Sequence, residues 1–168
     1  METFYHGSTR LFDSFDLSHA LEGDGKIKFG YGVYVTSSYD SAAHYAKVDK
    51  NAPKHYVYTV EAPELTEINC IKFKQPVHPS IVSKTEDKLG IKVPEKDCTD
   101  GKLFRKFLAD HFNSHDKLEG EKAAAEFLDS IGVICVVWPY NWRKGYEGST
   151  NRAVFNADSV KIVKVDEI

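Results

Sequence analysis

Residues 29–46 read FGYGVYVTSSYDSAAHYA, and this block restricts the fold more than any other stretch of the chain. Residues 32–36 combine glycine with β-branched and aromatic residues, the composition of a short strand. Ser38 or Asp40 then offers an N-cap, and residues 41–48 read as a helix. Strand and helix are joined by so few residues that they must pack on each other. Tyr34 sits on the strand and Tyr45 on the helix. Upstream, FYHGS at residues 4–8 brings a second short strand, with His6 followed by Gly7 and Ser8.

The rest of the chain completes an α+β pattern. Residues 55–61, HYVYTVE, alternate as a strand. Pro79 opens a short helix that reaches Leu89. Leu103, Phe104, Phe107, Leu108 and Phe112 recur at helical spacing, as do Ala123, Ala124, Phe127, Leu128 and Ile131, with Gly132 as the stop. Residues 132–138, 152–156 and 160–165 read as strands. Strands fall in two groups with helices between them, and there is no βαβ alternation. Gly30 and Gly32 do not make a GxGxxG fingerprint. A chain of 168 residues fits one domain, 1–168, within which residues 62–120 form a helical and loop insertion.

Composition excludes several classes. A hydrophobic share of 42% supports a core and rules out disorder, and a net charge of −3 argues against a general polyanion binder. Cys70, Cys98 and Cys135 lack CxxC spacing, so neither a disulfide framework nor a metal site is expected. Cys135, in VICVV, reads as a small buried hydrophobe. No stretch approaches ~18 apolar residues and the start has no signal-peptide core, which predicts a cytoplasmic protein without a membrane partner. Lys102, Arg105 and Lys106 read as a solvated helix face. His111 and His115 read as another, and Glu121 and Glu126 show no pairing signal.

Taken singly, His6, Tyr34 and Tyr45 read as core residues. Joined at this spacing they describe a site. Two tyrosine faces can clamp a planar ring. Gly7 lets the backbone approach an amide closely. His6 can hydrogen-bond a ribose hydroxyl. That set suits NAD+, whose nicotinamide–ribose bond breaks through an oxocarbenium-like transition state when ring and ribose are held in one orientation.

These residues resemble the H-Y-E clade of ADP-ribosyltransferases, which includes diphtheria toxin and the poly(ADP-ribose) polymerases. His6 and Gly7 are similar to the clade's first motif, and residues 29–46 to its second, with Tyr34 and Tyr45 on the two stacking tyrosines. Where the clade often has a serine three positions before the second tyrosine, this chain has Ala42, with Ser41 beside it. Residues 150–165, TNRAVFNADSVKIVKV, resemble the closing strand–turn–strand, and Asn151 falls on the catalytic glutamate. The opening FDSFDLS also resembles the ADP-ribosyltransferase-like modules of phage and mobile-element polyvalent proteins.

The resemblance implies two small antiparallel sheets that form an NAD cleft, flanked by helices. It implies a mono-ADP-ribosyltransferase that transfers ADP-ribose to a protein or nucleic acid. Its setting would be that of a toxin or phage effector, with an antitoxin or inhibitor as a further partner. His6, Tyr34 and Asn151 would be catalytic; His6, Gly7, Ser8, Tyr34, Ser41 and Tyr45 would hold NAD+. Asn can donate and accept hydrogen bonds but cannot act as a base, so polymer synthesis is not expected. Glu147 offers a substitute carboxylate. The segment before the third motif, residues 138–150, would face the acceptor with Trp138, Tyr140, Trp142, Arg143, Lys144 and Glu147, aromatic and cationic groups that can stack and neutralise bases. Two other readings stay open: a binding module that keeps the fold without catalysis, and an NAD+ glycohydrolase with water as acceptor.

Overall fold

The computed structural model describes residues 1–19, 29–140 and 148–168. Its strands are β1 (Glu2–Ser8), β2 (Val33–Thr36), β3 (Tyr56–Ala62), β4 (Cys70–Lys72), β5 (Cys135–Tyr140), β6 (Ser149–Val154) and β7 (Lys161–Glu167). Its α-helices are α1 (Tyr39–Ala46), α2 (Pro79–Leu89), α3 (Gly101–Phe112) and α4 (Lys117–Ser130). The fold is α+β.

The strands form one mixed sheet in the order β4-β5-β6-β2-β1-β3-β7. This differs from the two small antiparallel sheets that the resemblance implies. The reason is β2, which pairs with β6 from Val33↔Val154 to Thr36↔Asn151 and also meets β1 at Tyr5↔Thr36, so it joins both halves. The pairing of β4 with β5 is parallel; the others are antiparallel.

Both sheet faces are covered. On one face, Ile71, Val136, Trp138 and Ala153 pack against Ile81, Phe104, Leu108, Ala124 and Leu128 of α2, α3 and α4. On the other, Phe4, Val33, Val35, Tyr58, Val60, Cys135 and Val154 pack with Phe12 and Phe15. Residues 11–16, LFDSFD, therefore serve as a cover without helix or strand, ahead of a 3-10 turn at Leu17–His19. Tyr58 holds it there: its hydroxyl donates to the Arg10 carbonyl at 2.7 Å and accepts from the Phe12 N–H at 2.9 Å, and its ring stacks on Phe12.

Helix ends follow local chemistry. Ser38 caps α1 through its hydroxyl, which accepts from Ser41 N–H, and Asp100 and Asp116 cap α3 and α4 in the same way. Two charged readings need correction. Arg105 is buried among the helices, with its Nε 3.2 Å from an oxygen of the equally buried Glu121, whereas Lys102 and Lys106 do face solvent. The helical period places Arg105 beside Phe104 and Leu108, on the inward side of α3, and Glu121 supplies the counter-charge. His111 is on α3, but His115 lies past its C-cap, Asn113, so the two do not share a helix face.

Candidate functional site

β1 is held unevenly by its two neighbours. It pairs with β3 along its whole length, from Glu2↔Ala62 to Ser8↔Tyr56, but with β2 at Tyr5↔Thr36 alone. Continued register would set Gly7 opposite Tyr34. Instead the ladder stops, and the Tyr34 carbonyl accepts a hydrogen bond from His6 Nδ1 at 2.6 Å. A carbonyl can only accept, so Nδ1 carries the proton and Nε2 the lone pair. Burial lowers the pKa of His6, opposed by the bond to Tyr34, so the ring is neutral near pH 7.

His6 and Tyr34 meet through the backbone, and their rings lie on opposite faces of the sheet. His6 is edge-on to Phe15 at 5.0 Å, in the cover formed by Phe12, Phe15 and Tyr58. Tyr34 is on the helical side, edge-on to Trp138 at 5.6 Å. Its hydroxyl donates to the Gly30 carbonyl at 2.6 Å and accepts from the Phe29 N–H at 3.1 Å. Burial raises its pKa to about 12. Tyr34 thus offers a ligand its ring rather than its hydroxyl.

Gly7 is required by α1. A Cβ there would fall 2.0 Å from the Ala42 carbonyl oxygen and 2.8 Å from the Ala46 nitrogen. The absent side chain lets α1 lie directly on β1 at Ala42 and Ala46, the residues that follow Ser41 and Tyr45. Ser41 and Tyr45 are one helical turn apart on one side of α1. Ser41 is fully buried, and Tyr45 is 45% exposed at the rim. Ser8 is half-buried, and its hydroxyl accepts from the Arg10 N–H.

Asn151 is an interior residue of β6, opposite Thr36 on one side and Trp138 on the other. Directly opposed residues share a sheet face, so Asn151, Thr36 and Trp138 form a row on the helical side. Two buried polar atoms of this row, Asn151 Oδ1 and Trp138 Nε1, have no hydrogen-bond partner, and neither has Ser41 Oγ on α1. Each costs ~1–3 kcal/mol if left so, a cost that a bound polar group would remove. Orphaned polar atoms of this kind suit a polar ligand.

Tyr140 closes β5 opposite Ser149. Trp142, Arg143, Lys144 and Glu147 lie outside the described residues. Two surface hollows flank the fold. One, of about 490 Å³, is bordered by Lys96, Leu103, Phe107 and His111 on the outer side of α3 and touches none of the residues above. The other, of about 300 Å³, is bordered by Phe15, whose ring packs on His6. Among the described residues no group of three His, Cys, Asp or Glu is placed to hold a metal, and no helix is long and apolar enough to cross a membrane.

Sequence reasoning missed the buried pair behind the site. A Cβ on Gly30 would meet Arg105 Cδ at 3.0 Å, and Gly30 has a φ of +108°. Arg105 thus supports the turn whose carbonyl receives the Tyr34 hydroxyl. The signal available was position: Arg105 interrupts the apolar stripe of α3 between Phe104 and Leu108. No family model matches the chain, and no curated protein matches it in sequence.

Proposed function

We propose that this protein is an NAD+-dependent mono-ADP-ribosyltransferase with an ADP-ribosyltransferase-like fold. One observation carries the reading. His6, Gly7, Tyr34 and Asn151, distant in sequence, come to adjacent strands β1, β2 and β6 where the β1–β2 ladder opens. In this reading the free backbone edge of Gly7 and the Ser41 hydroxyl hold the nicotinamide amide. Tyr45 covers the ring and Tyr34 supports it. Neutral His6, whose ring lies on the other face of the sheet, acts through Nδ1, which holds the Tyr34 carbonyl where the ladder opens. The nicotinamide–ribose bond then breaks with neutral nicotinamide as leaving group, and the acceptor bonds the ribose carbon and gives up its proton to water. Rate comes from positioning and preorganised dipoles, since Asn151 cannot take a proton. A toxin or mobile-element effector is the setting that suits such a transferase.

The test is release of nicotinamide from labelled NAD+ in the presence of cell extract. His6→Ala and Tyr34→Ala should each lower it at least ~10-fold. Release that neither variant changes would remove this assignment. Label found on protein or nucleic acid identifies the acceptor, and free ADP-ribose alone selects the glycohydrolase. A second reading, a binding module without turnover, is favoured by Asn151 and by the tied Tyr34 hydroxyl; NAD+ binding without nicotinamide release would select it.

A further inference from the structure

Cys70 and Cys135 are register partners on β4 and β5, which run parallel. Both are free thiols in the cluster on the cover side of the sheet, Cys135 fully buried and Cys70 with 5% exposure. Ionisation of Cys70 disfavours that of Cys135, as neighbouring charges of one sign do. Spacing along the chain hides the pair, because residues 71–134, with α2, α3 and α4, lie between the two thiols.

We propose that Cys70 and Cys135 are a disulfide-forming pair, a redox-sensitive staple at the edge of the sheet, with hydrogen peroxide as the oxidant. A disulfide joins Cα atoms ~4.4–6.8 Å apart, and register partners on adjacent strands meet that condition at ~4.8 Å. It also needs Cβ atoms at ~3.5–4.5 Å, so β4 must close on β5 by about 1 Å or less. β4 can do so. It has three residues, ends the sheet, and has β5 as its one strand neighbour among the described residues.

The chemistry divides between the two thiols. Cys70, on the edge strand, is reached first. Its sulfur bonds a peroxide oxygen, the O–O bond breaks, and hydroxide leaves with the Cys70 proton as water; sulfur is oxidised to a sulfenic acid and peroxide is reduced. The Cys135 sulfur then bonds the Cys70 sulfur, the S–O bond breaks, and hydroxide leaves with the Cys135 proton as a second water. Burial pushes both thiols up, opposed by the Arg152 guanidinium, which sits over the Phe4 ring of the same cluster, so the pair reacts more slowly than an exposed thiol. The bond formed closes a loop that contains the whole layer of α2, α3 and α4. Neither step depends on the transferase reading.

The experiment uses the full chain with Cys98→Ser, which removes the third thiol and keeps a donor for the Pro94 carbonyl. The folded protein is treated with hydrogen peroxide, quenched in acid and digested without reductant. The expected result is loss of both thiols, a mass lower by two hydrogens, and a linked peptide pair joining Cys70 to Cys135 that dithiothreitol separates. Closing so long a loop should raise the melting midpoint by roughly 5 °C or more. The unaltered chain is a second test, since the linked peptides are read directly. Oxygen added to either sulfur without a link, links only between molecules, survival of both thiols, a link that forms only in urea, or a midpoint that does not rise would overturn the proposal.

Discussion

His6 Nδ1 donates to the Tyr34 carbonyl at 2.6 Å, and so a side chain takes the place of a backbone N–H in the ladder between β1 and β2. That bond holds the two strands together at the point where they diverge. It also fixes the tautomer, with the lone pair on Nε2. Protonation of Nε2 would put a charge among Phe12, Phe15 and Tyr58.

Stability should therefore fall in mild acid. Burial places the folded-state pKa of His6 below 6.5, so as pH drops through 6.5 the unfolded chain takes up the proton first. The stabilising contribution is complete above 6.5 and is lost down to the folded-state value. Urea unfolding of the native protein and of His6→Gln, from about pH 7.5 to about pH 5.5, should show the difference between them narrowing. A constant difference would contradict a neutral, buried His6.

Gly7→Ala should lower stability by ~2–3 kcal/mol or more, because the added methyl meets the backbone of α1 at Ala42 and Ala46 and not a side chain that can turn away. Trimming Ala42 to Gly should give no rescue. Thermal melts of the single and double variants decide the point.

Replacing Arg105 in the buried Arg105–Glu121 pair should cost ~3–5 kcal/mol, since the buried Glu121 carboxylate then loses the cation beside it. Arg105→Met with Glu121→Leu should recover much of that loss. A denaturant double-mutant cycle measures the coupling. If the single substitutions cost less than ~1 kcal/mol, the pair is not a buried ionic contact.

Tyr34 and Tyr45 should respond in opposite ways. Tyr34→Phe breaks the link to Gly30 and Phe29 and should cost ~1–2 kcal/mol of stability while keeping the ring for NAD+. Tyr45, at the rim, should tolerate Ala within ~0.5 kcal/mol and lose NAD+ affinity instead. Calorimetric titration with NAD+ beside thermal melts separates the two.

Local chemistry made much of this fold readable. Pro79, Ser38 and Gly132 mark helix ends, and α2 runs from Pro79 to Leu89 as its pattern predicts. β4 was not readable, because three residues carry no period and its form depends on β5. The joining of the strands into one sheet depends on β2, whose two-sided pairing is a tertiary fact. Among candidate site residues, the strand positions of His6 and Tyr34 followed from composition, whereas Asn151, one residue before the strand expected at 152–156, proves interior to β6. The opposite facing of His6 and Tyr34, and the burial of Arg105, follow from packing between segments that no local pattern connects.

The Thr150 N–H donates to Ser37 Oγ across 113 residues of chain, beside the ladder between β2 and β6. During translation β1 and β2 are thus made long before the strand that completes the row of Thr36, Asn151 and Trp138. At ~5–20 residues per second this interval lasts roughly 6–20 s. A nascent chain cannot assemble the opened ladder with its opposing asparagine until β6 has left the ribosome, so any activity that needs both is withheld from the cell that makes it until then.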